Sequence, residues 1–143
     1  MPTAGNAINV STIGTVYFNG TAFVTTGSGG ELWSTITSST QQLVVSNGYV
    51  ANYTSGRLAF TLPATASVGQ GFEIVGLNGS GGWSIAQASG QYIRLGNTVS
   101  TTGTGGSVDS SSSTDSVRVI CVVANSGWQI VDAVSGPSGL TFN

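Results

Sequence analysis

Apolar and polar residues along this chain alternate with a period of two. The most apolar stretch covers residues 115–132. There Val117, Val119, Cys121 and Val123 fall on one face of a strand, and Ile120 and Val122 fall on the other. A run that is apolar on both faces and rich in β-branched residues predicts a central strand covered on both sides. Asn125-Ser126-Gly127 supplies a turn, since Asn and Gly tolerate positive φ, and Trp128 and Ile130 return as a second strand. The predicted core is therefore Val117, Val119, Cys121, Val123, Trp128 and Ile130.

The remaining elements are short. Residues 13–18, the pair Asn19-Gly20 and residues 21–25 predict a hairpin, because a type I′ turn needs positive φ twice. Residues 42–46, Asn47-Gly48 and residues 49–53 predict another. Leu58, Phe60 and Leu62 share one face of a strand that Pro63 ends. Residues 72–76, 83–86 and 92–95 read as further strands, and 96–116 as a long loop. No window has helical periodicity. Short strands separated by turn signals every 8 to 12 residues or so predict an all-β chain. The expected architecture is an antiparallel β-sandwich or jelly-roll-like domain over residues 41–143, preceded by an N-terminal hairpin and assembly segment over residues 1–40. That segment holds too little apolar mass to fold alone, which makes Ile13, Val16, Phe18 and Phe23 candidate assembly residues.

Composition narrows the function. Charged residues make up only 6% of the chain, while 39% is hydrophobic, so a core exists and the polar part is hydroxyls and amides. Sheet edges are commonly guarded by Lys, and this chain has none. Edges hidden by self-association are the expected solution. Three Arg without Lys exclude a nucleic-acid surface. No apolar run approaches the ~20 residues of a membrane span, so membrane insertion is not expected. Met1-Pro2-Thr3-Ala4-Gly5 does not read as a signal peptide.

Catalytic chemistry is poorly supplied. Without His there is no Ser-His-Asp or Cys-His unit and no His metal site. Gly103-Thr104-Gly105-Gly106-Ser107 lacks the Lys and the helix of a phosphate cradle, and no cofactor is expected. Cys121 reads as a core hydrophobe. No metal centre is expected either; Asp109 and Asp115, flanking a serine run, are the weak candidates for holding an ion. Aromatic side chains are the better functional candidates. Trp33, Tyr49, Tyr53 and Tyr92, with Arg94, are the expected contacts to a cell-surface glycan, since sugars stack on Trp and Tyr. Trp83 and Trp128 read as core, and Arg57 or Arg94 as partners of Glu73.

A series of residues carries a family likeness. It comprises Leu62-Pro63-Ala64-Thr65-Ala66-Ser67-Val68-Gly69, Phe72-Glu73-Ile74, Gly81-Gly82-Trp83-Ser84-Ile85-Ala86-Gln87, Gln91 with Ile93, Gly96-Asn97, residues 101–107, Asp115-Ser116-Val117, Cys121-Val122-Val123-Ala124-Asn125 and Trp128. Over residues 42–143 the chain resembles the C-terminal β domain of phage tail-fibre-like and other virion-associated surface proteins. The Asn-Gly hairpin resembles the β shaft segments that precede such domains. The resemblance implies a homo-oligomer, often a trimer, that attaches to cell surfaces, and it brings no catalytic residues. Such domains usually end long fibres, so the short chain favours a small separate virion or surface-filament subunit.

The expected function is a non-enzymatic structural and adhesive subunit of a virion fibre, decoration or extracellular appendage. It would assemble with itself as a trimer or a filament, and would be located on the virion or outside the cell. The alternatives are a monomeric carbohydrate-binding module and a filament subunit built by strand donation.

Overall fold

The computed structural model describes residues 16–18, 21–23, 32–77 and 81–143. The chain divides into two compact units, Met1–Gly30 and Glu31–Asn143. In the first, β1 (Val16–Phe18) pairs antiparallel with β2 (Thr21–Phe23), with Phe18 opposite Thr21. The Asn-Gly hairpin is thus present. Ile13 lies outside the described residues.

The second unit is a sandwich of two mixed sheets, as expected for an all-β chain. Its strands are β3 (Leu32–Ile36), β4 (Thr40–Gln42), β5 (Asn47–Ala51), β6 (Leu58–Thr61), β7 (Gly71–Gly76), β8 (Trp83–Ala86), β9 (Tyr92–Leu95), β10 (Thr98–Val99), β11 (Ser107–Asp109), β12 (Ser116–Val123), β13 (Gly127–Val134) and β14 (Thr141–Phe142). The seven-stranded sheet runs β10-β9-β13-β12-β7-β5-β3 and the five-stranded sheet β14-β11-β8-β6-β4. β3 pairs with β5, so the sandwich starts after Gly30 rather than at residue 41.

The two halves of the sandwich are wound differently. From β3 to β8 the chain alternates between the sheets, and each strand lies parallel to the one two places earlier. Parallel neighbours need a crossover; here the crossover is the strand in the opposite sheet, so the chain forms coils of a flattened roll. This corrects the expectation of antiparallel pairing throughout. The antiparallel pattern holds in the second half, where β12 sits between β7 and β13. Asn47-Gly48 is accordingly no hairpin turn. Both residues are in β5, and the chain turns just before them, where Ser46 takes φ 63°. Val108, expected in a loop, is fully buried in β11.

Alternation puts Tyr49, Phe72, Ile74, Val119 and Trp128 of one sheet against Leu58, Phe60, Trp83, Ile85 and Val108 of the other, all in one apolar cluster. Val117, Cys121 and Ile130 join it. Val123 does not. A register shift between Cys121 and Val123 ends the alternation, and Val123 closes the hairpin against Gly127 with 48% of its surface exposed. β12 is central, but among the described residues no element of this unit covers its second face, where Ile120 and Val122 are half-buried. A second register shift, between Arg118 and Val119, leaves Val131 as an extra residue on β13. Such a bulge inverts the phase of the strand, so Asp132 and Val134 join Arg118 and Ser116 on the outer face.

Buried polar groups anchor the loops. The Asp115 carboxylate accepts hydrogen bonds from Ser111 N (2.7 Å), Ser111 Oγ (3.1 Å), Ser112 N (2.9 Å) and Gly136 N (2.8 Å). The Trp83 indole N–H donates to the Asp115 carbonyl at 2.8 Å. Gln91, 2% exposed, accepts from Ala88 N and donates to Pro63 O, both at 2.8 Å.

Candidate binding face

The seven-stranded sheet turns one face to the core and the other outward, and register assembles the outer face. Trp33 stands opposite Gly48, Gly48 opposite Glu73, Glu73 opposite Arg118, and Arg118 opposite Asp132. These residues form one row across five strands. The next row on the same face is Thr35, Val50, Val75, Ser116 and Val134.

Trp33 lies across Gly48. A Cβ placed on Gly48 would collide with the indole, approaching Cε3 at 2.7 Å. Gly48 is buried for that reason, while Trp33 remains 48% exposed. Tyr92 repeats the device on the far side of the sheet. Its ring lies across Gly127, where an added Cβ would come within 2.6 Å of the phenol oxygen. Arg94 donates from Nε to Gln129 Oε1 at 2.6 Å, also on the outer face. Trp33, Tyr92 and Arg94 thus share a face, but five strand spacings separate β3 from β9, about 24 Å. They do not form one site.

Two glycan candidates are placed elsewhere. Tyr49 points into the core, 3% exposed, with its ring 5.7 Å from that of Phe60 and its hydroxyl accepting from Val44 N at 2.8 Å. Tyr53 is half-buried and packs against the same cluster. The phase of β5 turns Tyr49 inward, so it presents no free ring face.

The carboxylates Asp115, Asp109 and Glu73 all have partners within the fold. Asp115 is occupied by four donors, so its oxygens are not available to an ion. Asp109 accepts from Ser107 Oγ and Asn143 Nδ2. Among the described residues no three His, Cys, Asp or Glu cluster as metal ligands would. Glu73 pairs with Arg118 (Nε–Oε1 3.3 Å) rather than with Arg57 or Arg94, because β12 lies beside β7. Arg57 instead donates to the Trp83 and Ser110 carbonyls.

A shallow open groove of about 90 Å³ lies over this part of the face. Glu73, Val75, Ser116, Arg118, Asp132 and Val134 line it. Asp132 reads in the sequence only as a carboxylate at the end of the second core strand; the bulge at Val131 and the order of strands bring it together with Arg118. Comparison of the chain with protein-family models and with curated proteins finds no match.

Proposed function

We propose that this chain is a non-enzymatic structural and adhesive subunit that assembles with copies of itself into a virion fibre, decoration or extracellular appendage. The observation that carries this reading is the difference between the two ends of the sandwich. At one end the outermost strands, β10 and β14, have two residues each. Very short edge strands are a common protection against pairing. At the other end the outermost strands are β3 and β4, with five and three residues, and neither contains a charge or a proline. Both belong to the first coil of the roll. Leu32 there is 78% exposed. Among the described strands nothing pairs with the outer edges of β3 and β4, and edges of this kind can accept a strand from another chain.

The resemblance to phage tail-fibre-like domains adds the expectation of a trimer. The test is native mass by light scattering together with negative-stain images. A trimer is expected, and filaments would point to strand donation. Ser34→Lys combined with Gln41→Lys places charges on the two open edges and is expected to dissociate the assembly while leaving the fold intact. A wild-type chain that stays monomeric at high concentration would overturn the reading.

A further inference from the structure

We propose that the outer face of the seven-stranded sheet carries a binding site for neutral oligosaccharides, running from Trp33 across Glu73 and Arg118 to Asp132. It names the ligand for the adhesive part of the function proposed above and rests on that part alone, not on assembly.

Trp33 has the form of a stacking platform. One face of the indole is held by the Gly48 backbone, and nearly half of the side chain stays exposed. Trp83 and Trp128 are both fully buried. An exposed indole that is already immobilised can stack on the apolar face of a sugar ring without a large ordering cost. The glycine–indole pair alone would be a structural device, and Tyr92 over Gly127 is such a pair. What sets Trp33 apart is the row it begins.

At about 4.8 Å per strand, Glu73 lies about 10 Å from Trp33 along the row, and Asp132 about 20 Å. That span fits several linked sugars rather than one. The groove at its far end offers both kinds of contact a sugar needs. Val75 and Val134, 38% and 65% exposed, flank it with apolar surface, and the small Ser116 between them leaves the floor open. Arg118 spends one Nε contact on Glu73 and keeps its other donors. Asp132 is exposed, and its carboxylate has no hydrogen-bond or ionic partner among the described residues, so both its oxygens can accept from sugar hydroxyls. Two carboxylates against one guanidinium leave the groove with a negative balance, which disfavours carboxylated or sulfated sugars.

Because Trp33 is the exposed tryptophan, indole fluorescence reports on the site. The full chain is titrated with maltohexaose, cellohexaose and chitohexaose, with hexagalacturonate as the acidic probe, and native mass is measured on every variant. A saturable fluorescence change with a neutral hexasaccharide is expected. Trp33→Ala should abolish it, and Asp132→Asn should weaken binding, measured by calorimetry, at least about tenfold at unchanged mass and unfolding midpoint. The exposed Asp132 substitution keeps the test valid if Trp33→Ala perturbs β3. Absence of binding to all three neutral probes, preference for hexagalacturonate, or undiminished affinity in Asp132→Asn would overturn the site. Loss of assembly with sugar binding intact would instead count against the self-association reading.

Discussion

The indole of Trp33 and the backbone of Gly48 occupy cross-strand partner positions in a parallel pair, and the ring fills the space a side chain at position 48 would need. Gly48 has no positive φ, so its backbone would accept alanine; the constraint is the indole alone. Gly48→Ala is expected to destabilise by about 1 to 2 kcal/mol by forcing the ring away. In a Trp33→Ala background the same change should reverse sign and stabilise by roughly 0.5 to 1 kcal/mol, since glycine weakens a strand interior. A double-mutant cycle by urea unfolding measures the difference; additive effects would mean that ring and glycine are not coupled.

Val119 is fully buried in the central strand. Val119→Asp would bury an unpaired carboxylate, and a loss of more than about 4 kcal/mol is expected. Circular dichroism and urea unfolding check it, and near wild-type stability would refute the central position of β12.

Asp115 holds two stretches of chain at once, the Ser111–Ser112 turn and Gly136. Asp115→Asn replaces one acceptor oxygen by a donor group facing N–H groups, at an expected cost of about 2 to 4 kcal/mol. Asp109→Asn, in a half-exposed setting, should cost under about 1 kcal/mol. Calcium is expected to leave the unfolding midpoint of the wild-type chain unchanged. A calcium-dependent rise would restore the ion-site idea.

Gln91 bridges the Pro63 carbonyl and the Ala88 amide from a buried position. Gln91→Leu keeps the volume but strands both partners, and about 2 kcal/mol should be lost. Gln91→Glu, which retains only the acceptor, should restore the Ala88 contact but not the Pro63 contact; amide hydrogen exchange at Ala88 distinguishes the two.

Cys121 is fully buried, with its sulfur directed at the Val123 carbonyl (3.3 Å). Its reaction with a thiol reagent should follow unfolding and accelerate with urea in step with it. Rapid labelling under native conditions would show that the hairpin opens locally.

By itself the sequence determined the all-β class, the Asn19-Gly20 hairpin, the inward residues of β12 and β13 as far as Cys121, and the stop at Pro63. Each of these follows from local chemistry: period-two alternation, β-branched side chains, and turn residues with special φ. The tertiary structure decided the rest. An alternating strand looks the same whether its neighbour runs parallel or antiparallel, so the roll from β3 to β8 was not legible, and Asn47-Gly48 read as a turn when its glycine was required by Trp33. Tyr49 sits among polar neighbours in sequence, yet strand phase turns it inward, where the Val44 amide meets its hydroxyl. The row from Trp33 to Asp132 draws on five strands and on a bulge that inverts one of them. Register between distant segments is set by how two sheets bury their apolar faces together, and no local stretch of chain encodes it.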